Sequence, residues 1–195
     1  MNRGERVASR TKSAIKDALL ELIKEMNYPD ITVATITKRG NIGRSTFYRH
    51  YRSKADVHVD IHNDMFKQLF ADLSAAEKWL NPKPSSTLVS FLERHQRLGN
   101  NPFSLSYKLG NDLDYLINNI NIMLTRNIEN KLREAFAQVD FSIPLPVLAQ
   151  SVSSAYSGLI MSWFVKFNSI DAHTFATYMH EFISALVQKA LDDTK

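Results

Sequence analysis

Apolar side chains recur along this chain at spacings of three and four residues, and no run of any length alternates apolar and polar positions as a half-buried strand would. From about Ser9 to Met26, Ile15, Ala18, Leu19, Leu22, Ile23 and Met26 form one helical stripe. Asn27-Tyr28-Pro29-Asp30 ends it, because proline disfavours helix at the preceding residue. A short amphipathic helix begins at Thr32, a turn follows at Gly40-Asn41-Ile42-Gly43, and a second short helix runs from Arg44 to His50. A long helix is predicted from Lys54 towards Leu80, with Val57, Ile61, Met65, Leu69, Leu73 and Ala76 on one side and Val59, Phe66 and Phe70 on another. Pro82 and Pro84 close that segment, a shorter helix spans Thr87 to Leu98, and Gly99-Asn100-Asn101-Pro102 breaks the chain again before a helix or loop from Phe103 to Leu109. Three longer helices complete the pattern, over Asp112 to Ala137, Val147 to Phe167 and Asp171 to Leu191, with Asp140 to Pro146 as a connection. The expectation is an all-α chain without internal repeats: a three-helix domain over residues 1–53, then a larger helical domain over 54–195.

The two short helices carry unusual chemistry. The Thr32 hydroxyl can cap the free amides of the first, Gly40 permits close helix approach, and Asn41 tolerates a positive φ. Val33, Ile36 and Thr37 face inward from the first helix, Ile42 plugs the angle, and Phe47 and Tyr51 face inward from the second. That leaves Arg44, Ser45, Thr46, Tyr48, Arg49 and His50 pointing out, a set able to bond phosphate oxygens and base edges. The pattern over 32–51 reads as a helix-turn-helix that inserts its second helix into duplex DNA. The plainer alternative is a pair of surface helices whose Lys and Arg only keep them soluble, with Tyr48 as a core tyrosine. Turn chemistry and side-chain content favour the DNA reading.

Charge sharpens this picture. Residues 1–58 hold 12 Lys and Arg against 6 Asp and Glu, whereas the remainder holds 12 against 14, so a sequence pI near 9.2 reflects a cationic head. There is no cysteine, hence no disulfide or thiolate metal site, which fits a reducing cytoplasm. The opening MNRGERVASR is charged and has no apolar signal segment. Phe141 to Val165 lacks any charge, yet two prolines at one end, and five serines and Gln150 between Val147 and Val165, make it too polar for a membrane span; it is expected to be a buried helix of a cytoplasmic protein.

Other candidate sites follow from the apolar surface. Val147 to Phe167 is apolar or small nearly all round, and Asp171 to Leu191 is strongly striped. Doubled by a two-fold axis, the pair would form a four-helix homodimer interface using Val152, Ala155, Leu159, Trp163, Phe175, Met179, Phe182 and Leu186, with an intramolecular core as the alternative. Phe66, Phe70, Phe91, His95, Phe103, Tyr107, Met123 and Trp163 could line a cavity for a small apolar or aromatic inducer, or simply fill the core. His58 and His62 stand four apart without an evident acidic third ligand, so a packed or solvated pair is favoured over a metal site. With no Gly-x-Ser-x-Gly elbow, phosphate-binding glycine loop or Cys nucleophile, neither catalysis nor a cofactor is expected.

The stretch Ile36 to Asp56, ITKRGNIGRSTFYRHYRSKAD, resembles the DNA-binding domain of the TetR family of bacterial transcriptional regulators. Thr46-Phe47-Tyr48-Arg49-His50-Tyr51 and Ser53-Lys54-Ala55-Asp56 occupy the family's T-[FL]-Y-x-[HY]-[FY] and [SN]-K-x-acid places, whereas Asn41 replaces the turn glycine and Gly43 the usual serine. The resemblance implies phosphate contacts from Thr32, Thr46, Tyr48 and Lys54, and base-edge contacts from Ala34, Arg44, Ser45, Arg49 and His50. In addition, the Lys54 ammonium would join the amides of the next helix, capped by Ser53, in holding one phosphate. Ser154 to Trp163 is similar to the C-terminal domain of Firmicutes-type members. The expected function is a ligand-responsive repressor that binds a pseudo-palindromic operator as a homodimer. Alternatives are an activator or co-regulator controlled by a protein partner and lacking a small-molecule pocket, or an all-α enzyme or binding module whose basic head is incidental.

Overall fold

The computed structural model describes residues 3–98 and 109–192, and among these it contains nine α-helices and no strand. Phe103, Tyr107 and the expected break and segment over 99–108 lie outside the described residues. The chain divides into two compact units, one of residues 3–62 with 109–119, the other of 63–98 with 120–192.

The first unit is built from α1 (Arg3–Glu25), a 3-10 turn (Tyr28–Asp30), α2 (Val33–Arg39), α3 (Arg44–His50) and the first half of α4 (Lys54–Leu69). Its core is the expected stripe of Ile15, Ala18, Leu19 and Leu22, together with Tyr28, Ile31, Ile36, Phe47, Tyr51 and Val57. The unit continues past the expected boundary at residue 53 because Ala55, Val57, His58 and Val59 of α4 are buried. It also takes in a second 3-10 turn (Gly110–Asp112) and the start of α7 (Leu113–Ala135), where Leu116 is buried.

The predicted helix from Lys54 to Leu80 is two helices. Instead, α4 stops at Leu69 and α5 (Ala76–Leu80) starts afresh, although no glycine or proline lies between them. Tertiary bonds make the break: the Thr87 hydroxyl donates to Leu69 O at 2.6 Å, and the Trp79 indole donates to Leu73 O at 2.9 Å. Each takes a carbonyl that a continuous helix would spend internally.

In the second unit, α9 (Ala172–Asp192) packs against α5, α6 (Ser86–Leu98) and α8 (Leu145–Val165). Phe70, Leu73, Trp79, Leu92, Ile128, Leu132, Val152, Trp163, Met179 and Ile183 belong to one buried cluster. Pro146 sits in the first turn of α8, where a missing N–H costs nothing, so that helix begins two residues earlier than its apolar pattern indicates. A 2.7 Å hydrogen bond between Thr125 and buried Ser153 ties α7 to α8.

Candidate nucleic-acid interface

Local sequence sets the angle between α2 and α3. The Thr32 hydroxyl accepts from the Thr35 amide at 3.2 Å, and the Thr35 hydroxyl accepts from the Thr32 amide at 3.0 Å. This reciprocal cap is worth about 1 kcal/mol. Asn41 has φ 50°, and the Ile42 amide donates to Thr37 O at 2.9 Å, closing the turn. A Cβ on Gly40 would stand 3.3 Å from Ala14 O and 3.0 Å from Ile42 Cδ1, so the residue is held small by the approach of α1. Ile36 and Phe47 are fully buried and lock the two helices together. Arg39, which sequence reasoning had not singled out, pins α2 to α1: its guanidinium donates to Glu21 at 3.2 Å and to Glu25 at 2.9 Å, and holds the Glu25 carboxyl below the usual range.

This frame presents one polar face. Arg44, Ser45 and Arg49 are exposed, Tyr48 is 57% exposed, and Thr46 and His50 are half-buried. Exposure of Tyr48 removes its reading as a core tyrosine; its ring lies edge-on to Phe47 at 5.5 Å. Arg49 donates to the Thr46 hydroxyl at 3.3 Å, whereas Arg44 has no ion pair among the described residues. Thr32 is exposed and Ala34 half-buried at the start of α2. The arrangement offers two guanidiniums, hydroxyls and a phenol along one short helix, the donor set that reads grooves and grips phosphates.

The start of α4 departs from expectation in one respect. Ser53 and Asp56 cap it reciprocally: the Asp56 amide donates to the Ser53 hydroxyl at 3.2 Å, and the Arg52 and Ser53 amides donate to Asp56 Oδ2 at 2.9 and 3.1 Å. The Lys54 ammonium does not join them. It turns back over the Tyr28 ring, 4.4 Å from its centroid, and donates to the carbonyls of Tyr28 and Ile31 at 2.7 and 2.9 Å and to that of Pro29 at 3.3 Å. Burial lowers its pKa, partly opposed by Asp112 and Asp30. The charge that was expected at a phosphate is spent satisfying the 3-10 turn, a use that no spacing in the sequence signals. Tyr115, likewise unforeseen, donates its hydroxyl to Asp56 Oδ1 at 2.5 Å.

His58 and His62 form a packed pair, with ring centroids 4.9 Å apart, and the His62 Nδ1–H donates to His58 O at 3.0 Å. His58 is 8% exposed and packs 5.4 Å from the Tyr28 ring; burial, reinforced by His62, pushes its pKa down to about 3. Among the described residues His58 Nδ1 has no hydrogen-bond partner. Burial and the charge of nearby Asp112 raise the Tyr28 pKa. Among the described residues no group of three or more His, Cys, Asp or Glu is arranged to hold a metal.

The regulatory sites expected in the second unit need correction. Phe66, Phe70 and Trp163 do not line a cavity; they are buried in packed core, with Phe66 on Phe70 (6.3 Å), Phe70 on Tyr156 (5.2 Å) and Trp163 on Phe175 (5.7 Å). Phe91 and His95 pack with tilted rings, centroids 4.2 Å apart, and Met123 is half-buried. An open cleft of about 540 Å³ lies at the end of α7, between Phe136, Phe141, Ile143 and Leu145, and involves none of the expected pocket residues. Four of the expected interface residues, Val152, Trp163, Phe175 and Met179, are at most 5% exposed because they fill the protomer's own core, so they cannot meet a partner. Ala155 and Leu159 are half-buried, and Phe182 and Leu186 are exposed at 61% and 39%. Tyr178, which the apolar stripe does not include, is 47% exposed one turn before Phe182. No helix among the described residues is long and apolar enough to cross a membrane.

The first unit thus defines a helix-turn-helix head. Residues 15–59 match the family model described as bacterial regulatory proteins, tetR family, so this head is similar to that family over less than a quarter of the chain. An HTH-type transcriptional regulator of Bacillus subtilis (strain 168), YxbF, described as uncharacterised, is 39% identical over 54 residues, which are 27% of this chain and 14% of that relative. The match therefore spans only a small part of the relative's length. Across both units the fold is TetR-like. A TetR transcriptional regulator from Streptococcus agalactiae 2603V is 25% identical with a TM-score of 0.50, the alignment covering 92% of this chain and 97% of that one. FadR of Thermus thermophilus, a TetR-family repressor solved in complex with lauroyl-CoA, is 17% identical with a TM-score of 0.59, over 92% of this chain and 95% of that one.

Proposed function

We propose that the protein is a homodimeric transcriptional repressor that reads a pseudo-palindromic operator with α3 and releases it in response to a ligand. The observation that carries the DNA reading is the rigid presentation of Arg44, Ser45, Tyr48 and Arg49 on a helix whose opposite side, Phe47, is fully buried. Arg44, unpaired at the start of α3, is free to bond guanine O6 and N7 with both prongs. Thr32, Thr46 and Tyr48 would hold phosphates, while Ala34, Ser45, Arg49 and His50 would face base edges. At the start of α4 the phosphate contact falls to backbone amides rather than to the Lys54 ammonium.

Tyr178, Phe182 and Leu186, four residues apart along α9, support a two-fold contact with a second copy. A helix-turn-helix dimer needs two heads about 34 Å apart to enter successive major grooves. Gel shift of the DNA flanking the gene tests this reading: one sharp complex, competed by that fragment and not by unrelated duplex, supports it, and no complex at low salt refutes it.

The solid packing of Phe66, Phe70 and Trp163 favours a second reading of the input, in which a protein partner rather than a small molecule controls the regulator. Thermal shift with apolar and aromatic compounds separates the two: stabilisation by any of them supports a ligand-responsive protein.

A further inference from the structure

The first helix runs for three turns before its first fully buried side chain, Ile15. A helical extension without packing is marginal in water, and Gly4, Val7, Ser9, Thr11 and Ser13 are not strong helix formers. Arg6 and Arg10 are exposed on this extension, four residues apart and so on one face. Neither has an ion pair or hydrogen bond among the described residues.

Its direction is fixed by the next turn. Lys12 lies over the Tyr51 ring, 5.4 Å from its centroid, and Lys12 and Lys16 reach Asp60 at 3.9 and 3.5 Å. Tyr51 is the C-cap residue of α3 and donates its hydroxyl to Asp60 at 2.6 Å. The extension therefore leaves the head beside the end of α3, and at 1.5 Å per residue Arg6 stands about 9 Å beyond Lys12 along the axis.

We propose that Arg6 and Arg10 make a second, sequence-independent DNA contact, gripping the phosphate backbone that flanks each half-site beside the end of α3. This rests on the reading of α3 as the DNA-recognition helix. The occupant is a duplex because the surface offers two unpaired guanidiniums within the unit that carries the reading face, and guanidinium matches phosphate in charge and geometry.

The test compares the full-length protein with the double variant R6Q/R10Q, which keeps helix propensity and removes both charges. Binding to the operator fragment and to an unrelated duplex is measured over a range of salt, with hydroxyl-radical footprinting. With two phosphates released per head, the slope of log K against log salt becomes shallower by about 1.8 for each head engaged. Affinity should fall by one common factor for both duplexes, and protection of the flanking sugars should disappear while that inside the half-sites persists. An unchanged slope and footprint overturn the inference and leave the reading by α3 intact. Loss of specific binding alone overturns it as well, because a backbone grip cannot discriminate bases. Failure of the wild-type protein to bind any duplex would remove both readings together.

Discussion

Tyr115 and Asp56 join the start of α7 to the start of α4: the phenol takes one carboxylate oxygen at 2.5 Å, while the other closes the first turn of α4 through the amides of Arg52 and Ser53. One aspartate thus serves a cap and a tether. Asp56→Ala should cost the head about 1–2 kcal/mol, because capping and tether bonds go together, and Tyr115→Phe about 0.5–1 kcal/mol. Urea denaturation of both variants checks the order; equal losses would contradict the double role.

The turn makes a sharper demand. Asn41 at φ 50° should accept glycine with little change in stability, whereas Asn41→Val should cost about 1–2 kcal/mol. Gly40→Ala should also destabilise, by about 1 kcal/mol or more, since its methyl meets the backbone oxygen of Ala14, which cannot swing away. Thermal melts of the three variants measure this.

Acid should weaken the head through His58. Its pKa is near 3 in the fold and near 6.5 when unfolded, so the unfolded chain takes up the proton first. The stabilisation is whole above pH 6.5 and is lost progressively as pH falls towards 3, the full loss being roughly 4–5 kcal/mol. Burial lowers the His62 pKa too, which adds a loss of the same sign. His58→Phe should remove about 1 kcal/mol of the stability difference between pH 7.5 and 5.5, read from urea midpoints. A pH dependence as steep as the wild type's would show that His58 is not its source.

Lys54 and Arg44 should separate cleanly. Lys54→Ala takes the ammonium donor from the Ile31 carbonyl and one of two donors from the Tyr28 carbonyl, so it should cost about 1–3 kcal/mol in folding and leave the salt slope of DNA binding unchanged. Arg44→Ala should leave folding unchanged and cost about 1–3 kcal/mol in operator affinity, with relaxed base preference. Denaturation and anisotropy titrations on the same two proteins decide the matter.

What the sequence discloses is what local chemistry controls. Thr32 as a cap, Asn41 with positive φ, Gly40 at a close approach and Phe47 turned inward all follow from short-range rules, and the structure has each of them. The break after Leu69 is silent in sequence because its cause, the Thr87 hydroxyl, lies 18 residues away. Lys54 misled for a related reason: lysine beside a helix start fits a phosphate, and only the fold brings Tyr28 beneath its ammonium. The stripes of α8 and α9 record burial without naming what buries them, so Met179 in the core and Phe182 at the surface read alike. Ser53 and Asp56, by contrast, have the spacing of a capping box and could have been paired from the sequence.

Exposed Phe182 gives the dimer its own test. Phe182→Glu should leave the protomer folded, since the side chain touches no core, and should shift sedimentation from two chains to one. Operator affinity should fall with it, because paired half-sites are then engaged singly.

The most direct measurement is an anisotropy titration of the DNA flanking the gene against a scrambled duplex of equal length, with wild type and Arg44→Ala. The account predicts two chains per site, affinity for the flanking DNA at least about 10³-fold above the scrambled control, and collapse of that ratio in Arg44→Ala. Equal affinity for both duplexes, or a ratio that survives removal of Arg44, would contradict the assignment of α3 as the DNA-reading helix.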